Sequence, residues 1–501
     1  MEHHHSYNTL RVKSIGIDTY RENIVYMRAD CHICQSEGFT ALTRIVIHHH
    51  EKTIVATLNV VHSDLLGVDE AALSMEAMKR LDVVDGDCLT FSHLENINSL
   101  SYVRAKMYHD QLTEQQFNEI MKDIVAGKYS NIELAAFISA CSDDNLSVPE
   151  IIGLTKAMIN AGQSISWEKS VVLDKHCVGG LPGNRTTPIV VSIVAAAGLT
   201  IPKTSSRAIT SPAGTADTME VIAPVDLDMD EIKKVVEIEN GCIVWGGAVK
   251  LSPEDDILIS VEKSLDVDSQ GQMIASVLSK KSAAGATHVV IDLPVGKTAK
   301  VRTHEIALQL QHDFESVAQA IGLQLQVIIT DGQQPVGRGI GPALEAMDVL
   351  AVLRNEKTAP TDLKERAITL AGALLELSGE YAPGTGNNMA RSILETGSAW
   401  AKFQAICQSQ GGFREPAFAP YHFEVCSDKE GVVTAIDNRK LARVAKLAGA
   451  PQSASAGILF NAPLGKQVSV GDTLFTLYAH TKGELEYALT YLKTDNIITI
   501  E

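Results

Sequence analysis

The chain has 501 residues, a net charge of −18 and 45% hydrophobic residues, so it is long enough to form several domains with sizeable cores. Its acidic balance excludes binding to nucleic acid or to an anionic membrane through a broadly basic surface. The eight cysteines are too scattered for a disulfide framework, and the chain shows neither a signal peptide nor an apolar run of the ~20 residues that span a membrane. We therefore expect a cytoplasmic protein whose anionic ligands are bound by a few local cations and backbone N–H groups.

The first 93 residues predict a β-rich domain, because they contain short segments rich in β-branched residues. These segments are 23–27, 41–47 and 53–58. Cys31 and Cys34 have the spacing of metal ligands, and the histidines at 48–50 could complete a zinc site. Because no second cysteine pair is present, we favour a structural role for both cysteines.

Three capping boxes follow at intervals of 17 residues. They begin at Thr113, Ser130 and Ser147, and each has Glu or Gln three positions later. Each also precedes an apolar-periodic stretch. This spacing predicts three short helices packed as antiparallel hairpins.

From about residue 168, strand and helix patterns alternate, which predicts a largely parallel sheet with helices on its faces. The predicted strands are 199–203, 287–293 and 325–330, and the predicted helices are 187–197, 303–322, 341–354, 362–378 and 388–409. The stretch 253–285 also has a helical pattern. Near the end, 457–460 and 470–475 predict strands, and 438–448 predicts a helix.

The predicted fold class is α/β, with a helical domain, an α/β domain, an added N-terminal β domain and a C-terminal α+β domain. The predicted boundaries are 1–93 for the β-rich domain, 97–167 and 252–285 for the helical domain, 168–251 and 286–415 for the α/β phosphate-binding domain, and 420–501 for the α+β domain.

The first segment with chemical potential is 174–187, a glycine-rich loop that leads into an apolar helix. Its three glycines allow tight turns, and the helix N-terminus offers free N–H groups to an anion. Lys175 adds a positive charge, while Thr186 and Thr187 add hydroxyl donors. The spacing of a Walker P-loop is absent. We predict a phosphate site here, with a ligand-free glycine-rich connection as the alternative.

The second segment, 203–220, follows a predicted strand and is dense in hydroxyl groups. Six Ser or Thr residues, one Arg and one Gly lie within 204–217. At the carboxyl end of a parallel strand, this loop would lie where open α/β sheets bind ligands. A polar loop that only caps the next helix is the alternative.

Together the two segments resemble the phosphate loop and the signature of the thymidine phosphorylase family. The resemblance extends to 251–255, 276–281 and 337–345, and covers residues 97–500. It implies a helical and an α/β domain that close on phosphate and a nucleoside, in a homodimer or higher homo-oligomer. The implied reaction splits the N-glycosidic bond with inorganic phosphate as co-substrate, without a metal or organic cofactor.

The phosphate ligands that the resemblance implies are Lys175, Ser205, Thr187 and Thr215, whereas a further family serine is Cys177 here. A thiol is a poorer donor than a hydroxyl, so the backbone N–H at this position could matter more than the side chain.

Two further residues match groups that the family places near the bond to be broken. His176 matches the histidine beside the base or pentose, and Asp268 matches the acid that protonates the leaving base. A carboxylic acid can donate that proton only if burial or a nearby anion raises its pKa. As an alternative, Asp268 could cap the helix that begins near Gln270.

The pyrimidine-recognition residues of the family match only in part. Ser276 and Lys280 are retained, but the family's Tyr and Arg fall on Ile259 and Glu262. Counting back from Asp268 instead places them on Leu258 and Val261. Neither count supplies a guanidinium, so the site lacks the hydrogen-bond donor that the pyrimidine carbonyl of thymidine requires.

The N-terminal β domain and the strings at 176–183 and 205–211 are more similar to the AMP phosphorylase branch of the family. That branch implies nucleotide or phosphate contacts at Gly179, Gly180, Ser206, Arg207, Ala208, Ile209, Thr210, Ser211, Thr215, Ser276 and Lys300. The preferred hypothesis is therefore phosphorolysis of a nucleoside 5′-monophosphate. Thymidine phosphorolysis and a non-catalytic nucleotide-binding regulatory protein are the alternatives.

Overall fold

The computed structural model describes residues 9–20, 22–208, 211–249, 252–265, 269–493 and 495–501. The chain forms two compact units, one made of Met1–Leu146 with Glu254–Asp268, and the other of Ser147–Pro253 with Ser269–Glu501. This division differs from the four predicted domains, whose boundaries stay a prediction.

The first unit contains a closed six-stranded barrel with the strand order β1-β5-β2-β4-β3-β6. Its strands are Thr9–Val12 (β1), Ile24–Arg28 (β2), Arg44–His49 (β3), Lys52–Val61 (β4), Glu70–Leu73 (β5) and Cys88–His93 (β6), and its helices are His32–Glu37 (α1) and Met75–Leu81 (α2). Alternating apolar side chains such as Ile45, Ile47 and Leu58 fill the interior. Strand β3 begins later than predicted because residues 40–43 form a turn in which Leu42 has a φ of 68°.

Four helices follow the barrel along the chain. They are Leu100–Met107 (α3), Glu114–Val125 (α4), Asn131–Ala140 (α5) and, in the second unit, Val148–Ala161 (α6). The capping boxes at Thr113, Ser130 and Ser147 form as predicted. Helix α3 was not predicted, and the side chain at its N-cap, Ser99, makes no capping hydrogen bond. Helix α6 packs against α11 of the second unit, introduced below.

The elements of the central region are Leu173–Cys177 (β7), Thr187–Ala196 (α7), Ile201–Ser205 (β8), Thr215–Ile222 (α8), Met229–Glu239 (α9), Gly241–Trp245 (β9), a 3₁₀ turn at Gly246–Val249, Pro253–Leu265 (α10), Gln270–Ala283 (α11), His288–Val295 (β10), His304–Ala320 (α12), Gln324–Asp331 (β11), Gly339–Ile340 (β12), Pro342–Leu353 (α13), Thr361–Leu377 (α14), Gly386–Glu395 (α15) and Ser398–Ser409 (α16). The predicted helix 388–409 is therefore two helices, which are separated at Gly397 with a φ of 81°.

Strands β7 to β11 of the second unit pair in parallel, as predicted. Strands β11, β10 and β7 form one sheet and β8 and β9 another, and a parallel bridge between Val172 and Thr200 joins β7 to β8. The carboxyl ends of these strands consequently lie along one edge. Helices α7, α13, α14 and α16 supply most of the apolar core on which the sheet rests.

The last part of the chain contains Tyr421–Cys426 (β13), Gly431–Ile436 (β14), Asn438–Leu447 (α17), Gly457–Phe460 (β15), Gln467–Val468 (β16), Thr473–Ala479 (β17), Lys482–Leu492 (α18) and Ile498–Ile500 (β18). They form the antiparallel sheets β12-β15-β17-β13 and β16-β14-β18. The predicted strand 470–475 begins only at Thr473, because Gly471 has a φ of 92° and the N–H of Ser469 donates to Asp472 in a turn. Along the described ranges, no helix combines the length and apolar character needed to cross a membrane.

Candidate functional site

A buried lysine marks the candidate anion site at the carboxyl end of β7. Lys175 is 1% exposed, and its ammonium donates to Oγ1 of Thr186 at 2.7 Å. Thr186 is the N-cap of α7, so a positive charge lies where the free N–H groups of this helix begin. The loop between them needs glycine at position 183, because a Cβ there would lie 2.4 Å from the carbonyl oxygen of Val336.

Behind Lys175, a single carboxylate binds two buried ammonium groups. Asp174 Oδ1 lies 3.0 Å from Lys203 Nζ, and Oδ2 lies 2.7 Å from Lys281 Nζ. Oδ1 also accepts the backbone N–H of Lys175 at 2.6 Å. The three side chains are at most 5% exposed, and together they carry one surplus positive charge when both lysines are protonated. Burial in this cluster lowers the pKa of Lys281 to about 7, because Lys203 and desolvation outweigh Asp174.

The pKa of His176 lies well below its ordinary value. Burial is the main cause, and the positive charges of Lys281, Lys203, Lys280 and Lys175 add to it. The imidazole is therefore neutral at physiological pH. This effect shows that the structure brings the predicted residues His176, Lys175 and Lys280 into one electrostatic environment.

The hydroxyl-rich loop 206–214 follows Ser205, the last residue of β8. Ser205 is 8% exposed, and its Oγ is a buried atom with no hydrogen-bond partner among the described residues. Such a group is expensive to bury unless a ligand satisfies it. The loop closes through Asp217, whose Oδ2 accepts the N–H groups of Ala208 and Gly214. Gly214 is required because a Cβ there would lie 2.6 Å from the backbone N of Ala208.

Arg207 is engaged by acidic partners in this structure. Its guanidinium donates to both carboxylate oxygens of Glu220, one of them at 2.8 Å, and lies 3.4 Å from Asp217. It also lies 4.9 Å from the ring centre of Trp245. A contact with an anionic ligand would therefore compete with an existing ion pair.

Cys177 faces a polar network beneath the glycine-rich loop. Asn184 donates from Nδ2 to Cys177 Sγ at 3.1 Å and to Asp292 Oδ2 at 3.0 Å, and Thr330 donates to Asp292 Oδ1. Burial and the Asp292 carboxylate raise the pKa of the thiol, so it stays protonated. Oδ1 of Asn184 is a second buried atom without a partner in the described part of the chain.

The other predicted residues fall into three groups. Gly180 lies beside Lys300, because a Cβ on it would be 3.4 Å from the Lys300 backbone N. Ser276 and Lys280 lie one turn apart on α11, which Lys281 anchors to β7. Of the remaining predicted residues, Gly179 and Ser206 are exposed, Ser211 donates to the carbonyl of Ala213, and Thr187 begins α7. Ile209, Thr210 and Asp268 lie outside the described residues.

Sequence reasoning missed Asp174, Lys203 and Lys281 as members of the site. Each is a charged residue inside a strand or helix, and a buried charge normally requires a partner. The charges were visible in the sequence, but their burial and pairing were not, because the pairing joins residues that are up to 107 positions apart.

Cys31 and Cys34 contact each other at the start of α1. Cys31 is the N-cap of α1, and its Sγ accepts the N–H of Cys34 at 3.2 Å. Both side chains are buried. Within the described ranges, no three His, Cys, Asp or Glu side chains converge in a way that could hold a metal ion.

Comparisons with known proteins agree with this architecture. The glycosyl transferase family models match residues 100–162 as a helical bundle domain and 169–400 as an a/b domain, and the pyrimidine nucleoside phosphorylase C-terminal domain matches 432–499. A protein of Hahella chejuensis named "Putative thymidine phosphorylase" is 54% identical over 99% of this chain and 98% of its own length. The chain belongs to the thymidine phosphorylase family. It is accordingly a glycosyltransferase with a helical domain, an α/β domain and a pyrimidine nucleoside phosphorylase-type C-terminal domain.

Other relatives of this family member extend the likeness. A Polaromonas protein with the same name is 56% identical over 96% of the chain and 94% of its own length, and one of Legionella pneumophila is 55% identical over 98% and 95%. The crystal structure of anthranilate phosphoribosyltransferase from Thermus thermophilus has a TM-score of 0.53 at 19% identity, covering 62% of this chain and 98% of that chain. That likeness supports the fold alone.

Proposed function

We propose that this protein is a phosphate-dependent pentosyltransferase that cleaves the N-glycosidic bond of a nucleoside 5′-monophosphate, giving a free base and ribose 1,5-bisphosphate. The preferred substrate is of the AMP type. The active protein is proposed to be a homodimer or a higher homo-oligomer.

The observation that carries the proposal is the surplus of positive charge around β7. Lys175 donates to the neutral hydroxyl of Thr186, and Lys203 and Lys281 share one carboxylate. When all three lysines are protonated, they and Asp174 have a net charge of two, and the buried Asp292 carboxylate beside Cys177 lowers the sum around β7 to one. A chain with a net charge of −18 retains such a cluster most readily where anionic groups compensate it.

The phosphate site is proposed to use Lys175 together with hydroxyl groups on two loops. Ser205 supplies a buried hydroxyl that has no partner among the described residues, and Thr187 and Thr215 are the first residues of α7 and α8. Helix N-termini favour anions, so both helix ends and the lysine attract the same ligand. Charge-assisted hydrogen bonds of this kind each contribute about 1.5–3 kcal/mol.

In the proposed reaction, a phosphate oxygen attacks C1′ while the bond from C1′ to the base nitrogen breaks. The bonding electron pair leaves with the base, and a proton must reach that nitrogen. Because burial, together with the surrounding lysines, keeps His176 neutral, it is suited to orienting the substrate and poorly suited to acting as the acid. Asp268 stays the predicted proton donor. Phosphate itself is the nucleophile, so the reaction requires no metal or organic cofactor.

A second candidate is phosphorolysis of thymidine. The names of the 54–56% identical relatives favour it. Against it stands the absence of the family's Tyr and Arg, whose places are taken by Ile259 and Glu262 or by Leu258 and Val261. Without the guanidinium, the pyrimidine carbonyl loses a charged donor.

The experiment that separates these candidates measures base release from nucleosides and nucleoside 5′-monophosphates, with and without phosphate. Phosphate-dependent release from AMP but not from thymidine supports the proposal, and release from thymidine alone contradicts it. Asp268→Asn should lower kcat by orders of magnitude with little change in binding. If the wild type binds nucleotide and phosphate without releasing base, the non-catalytic alternative is correct.

A further inference from the structure

Arg185 connects the two loops of the phosphate site. It precedes the N-cap of α7 and is 11% exposed at its side chain. Its guanidinium donates from Nε to Glu345 Oε2 at 2.7 Å, from Nη1 to Thr215 Oγ1 at 2.7 Å, and from Nη2 to the carbonyl of Ala213 at 2.9 Å. One planar group therefore joins the end of the glycine-rich loop to the start of α8.

Glu345 holds the guanidinium in this place. It is 1% exposed, and it also accepts hydrogen bonds from the N–H of Gly341 and the hydroxyl of Thr218. A buried carboxylate with three donors has little freedom to move. The guanidinium of Arg185 is thus held by Glu345 of α13 and donates to Thr215 of α8.

The contact with Thr215 determines the direction of its hydroxyl proton. A guanidinium can only donate, so Thr215 Oγ1 must be the acceptor in this bond. The hydroxyl hydrogen then points elsewhere and is available as a donor. A phosphate oxygen requires donors, and a hydroxyl that already accepts from a cation is a stronger one.

We propose that Arg185 is a positioning residue for the phosphate co-substrate, which orients the Thr215 hydroxyl as a donor and fixes the N-terminal ends of α7 and α8 relative to each other. This inference rests on the proposed function. A lysine could replace the charge of Arg185, but it lacks the fork that reaches Thr215, Ala213 and Glu345 together.

The test compares the full-length wild type with Arg185→Ala, Arg185→Lys, Thr215→Val and the double variant Arg185→Ala/Thr215→Val. In each protein, KM for phosphate, KM for the nucleotide and kcat are measured, and phosphate binding is measured by calorimetry. We expect Arg185→Ala and Thr215→Val each to raise KM for phosphate about 10- to 100-fold, with less than a threefold change for the nucleotide. The double variant should have a KM for phosphate no higher than that of the more impaired single variant, because both changes remove the same donor.

Chemical rescue distinguishes positioning from folding. Millimolar guanidinium should restore phosphate affinity to Arg185→Ala but not to Thr215→Val, and Arg185→Lys should recover the thermal stability of the wild type without its phosphate affinity. The matched control is Arg391→Ala, which breaks the exposed ion pair of Arg391 with Glu365 and should change no kinetic constant.

Three outcomes would overturn different claims. Equal rises in KM for phosphate and nucleotide, strictly additive effects in the double variant, or unchanged phosphate affinity in Arg185→Ala contradict the role of Arg185. A wild type that binds phosphate but releases no base contradicts the proposed function, while the calorimetric comparison still decides the role of Arg185. A wild type that does not bind phosphate refutes both.

Discussion

Ser205 is the residue whose surroundings point most directly to a ligand. Its hydroxyl is buried without a partner in the described part of the chain, at the edge where parallel strands end. Removing such a group relieves an unsatisfied donor in the ligand-free protein. In the proposed phosphate complex the same change would remove a contact, so stability and affinity should move in opposite directions.

We therefore predict that Ser205→Ala leaves the free energy of unfolding unchanged or raises it by up to ~1 kcal/mol, while phosphate affinity falls about tenfold or more. Urea unfolding and calorimetry measure the two quantities. Ser192→Ala is the control, because this buried serine donates within α7 to the carbonyl of Pro188. A loss of stability in Ser205→Ala without a loss of affinity would show that the hydroxyl is structural.

The lowered pKa of Lys281 leads us to expect that stability and phosphate affinity depend on pH. Its pKa is lowered to about 7 in the folded protein, from 10.5, so the unfolded chain binds more protons between pH 7 and 10.5. Stability attributable to Lys281 should rise with pH across that window. Phosphate affinity should fall as the pH rises through about 7, because folded Lys281 loses its positive charge there.

The difference between the wild type and Lys281→Met isolates this effect from other titrating groups. Unfolding by urea at pH 6 to 10 should show the stability difference changing with pH, and phosphate binding by Lys281→Met should lack the part of the decline that Lys281 causes. Parallel pH profiles in the two proteins would mean that Lys281 does not titrate in this range.

At the scale of elements, the start of α8 depends on one carboxylate. Asp217 closes the loop 206–214 by accepting the N–H groups of Ala208 and Gly214, and it contacts Arg207. Thr215 is the first residue of α8 and directly follows Gly214. The capping interaction therefore also positions a predicted phosphate ligand. Helix stability and phosphate binding should be coupled here.

We predict that Asp217→Ala lowers the free energy of unfolding by about 0.5–2 kcal/mol and also raises KM for phosphate several-fold. Asp228→Ala provides the matched control, since Asp228 caps α9 by accepting the N–H groups of Asp230 and Glu231. It should cause a similar loss of stability with unchanged kinetic constants. An unchanged KM in Asp217→Ala would separate the cap from the site.

At the scale of the whole molecule, the barrel of the first unit has a core of its own. Its interior consists of residues between Leu10 and Phe91, whereas Lys175, Thr187, Ser205 and Thr215 of the proposed phosphate site belong to the second unit. Leu58, which is fully buried, is part of that interior. Damage to this core should therefore affect stability and leave phosphate binding intact.

We predict that Leu58→Ala lowers the stability of the barrel by about 2–5 kcal/mol. Differential scanning calorimetry should show the loss, and phosphate binding at a temperature where the variant is folded should match the wild type. A large change in phosphate affinity would show that the barrel influences the second unit.

The local patterns of the chain were sufficient to predict most elements and the family. The three capping boxes at Thr113, Ser130 and Ser147 form, and the strand–helix alternation produces a parallel sheet. These features depend on side chains within a few positions of one another. Errors arose where a short turn interrupts a regular pattern, as at Gly397, which divides one predicted helix into two.

The sequence by itself determined the phosphate-loop motif, the hydroxyl-rich loop and the family to which they belong, because these are recognised from residue types at short spacing. Only the tertiary structure decided that Asp174 binds Lys203 and Lys281, and that Arg185 reaches Thr215 and Glu345. Glu345 lies 160 positions from Arg185. The physical reason is that a buried charge requires a partner, but the sequence alone does not say which distant residue supplies it. That choice depends on how strands β7 and β8 and the helices α7, α8, α11 and α13 pack.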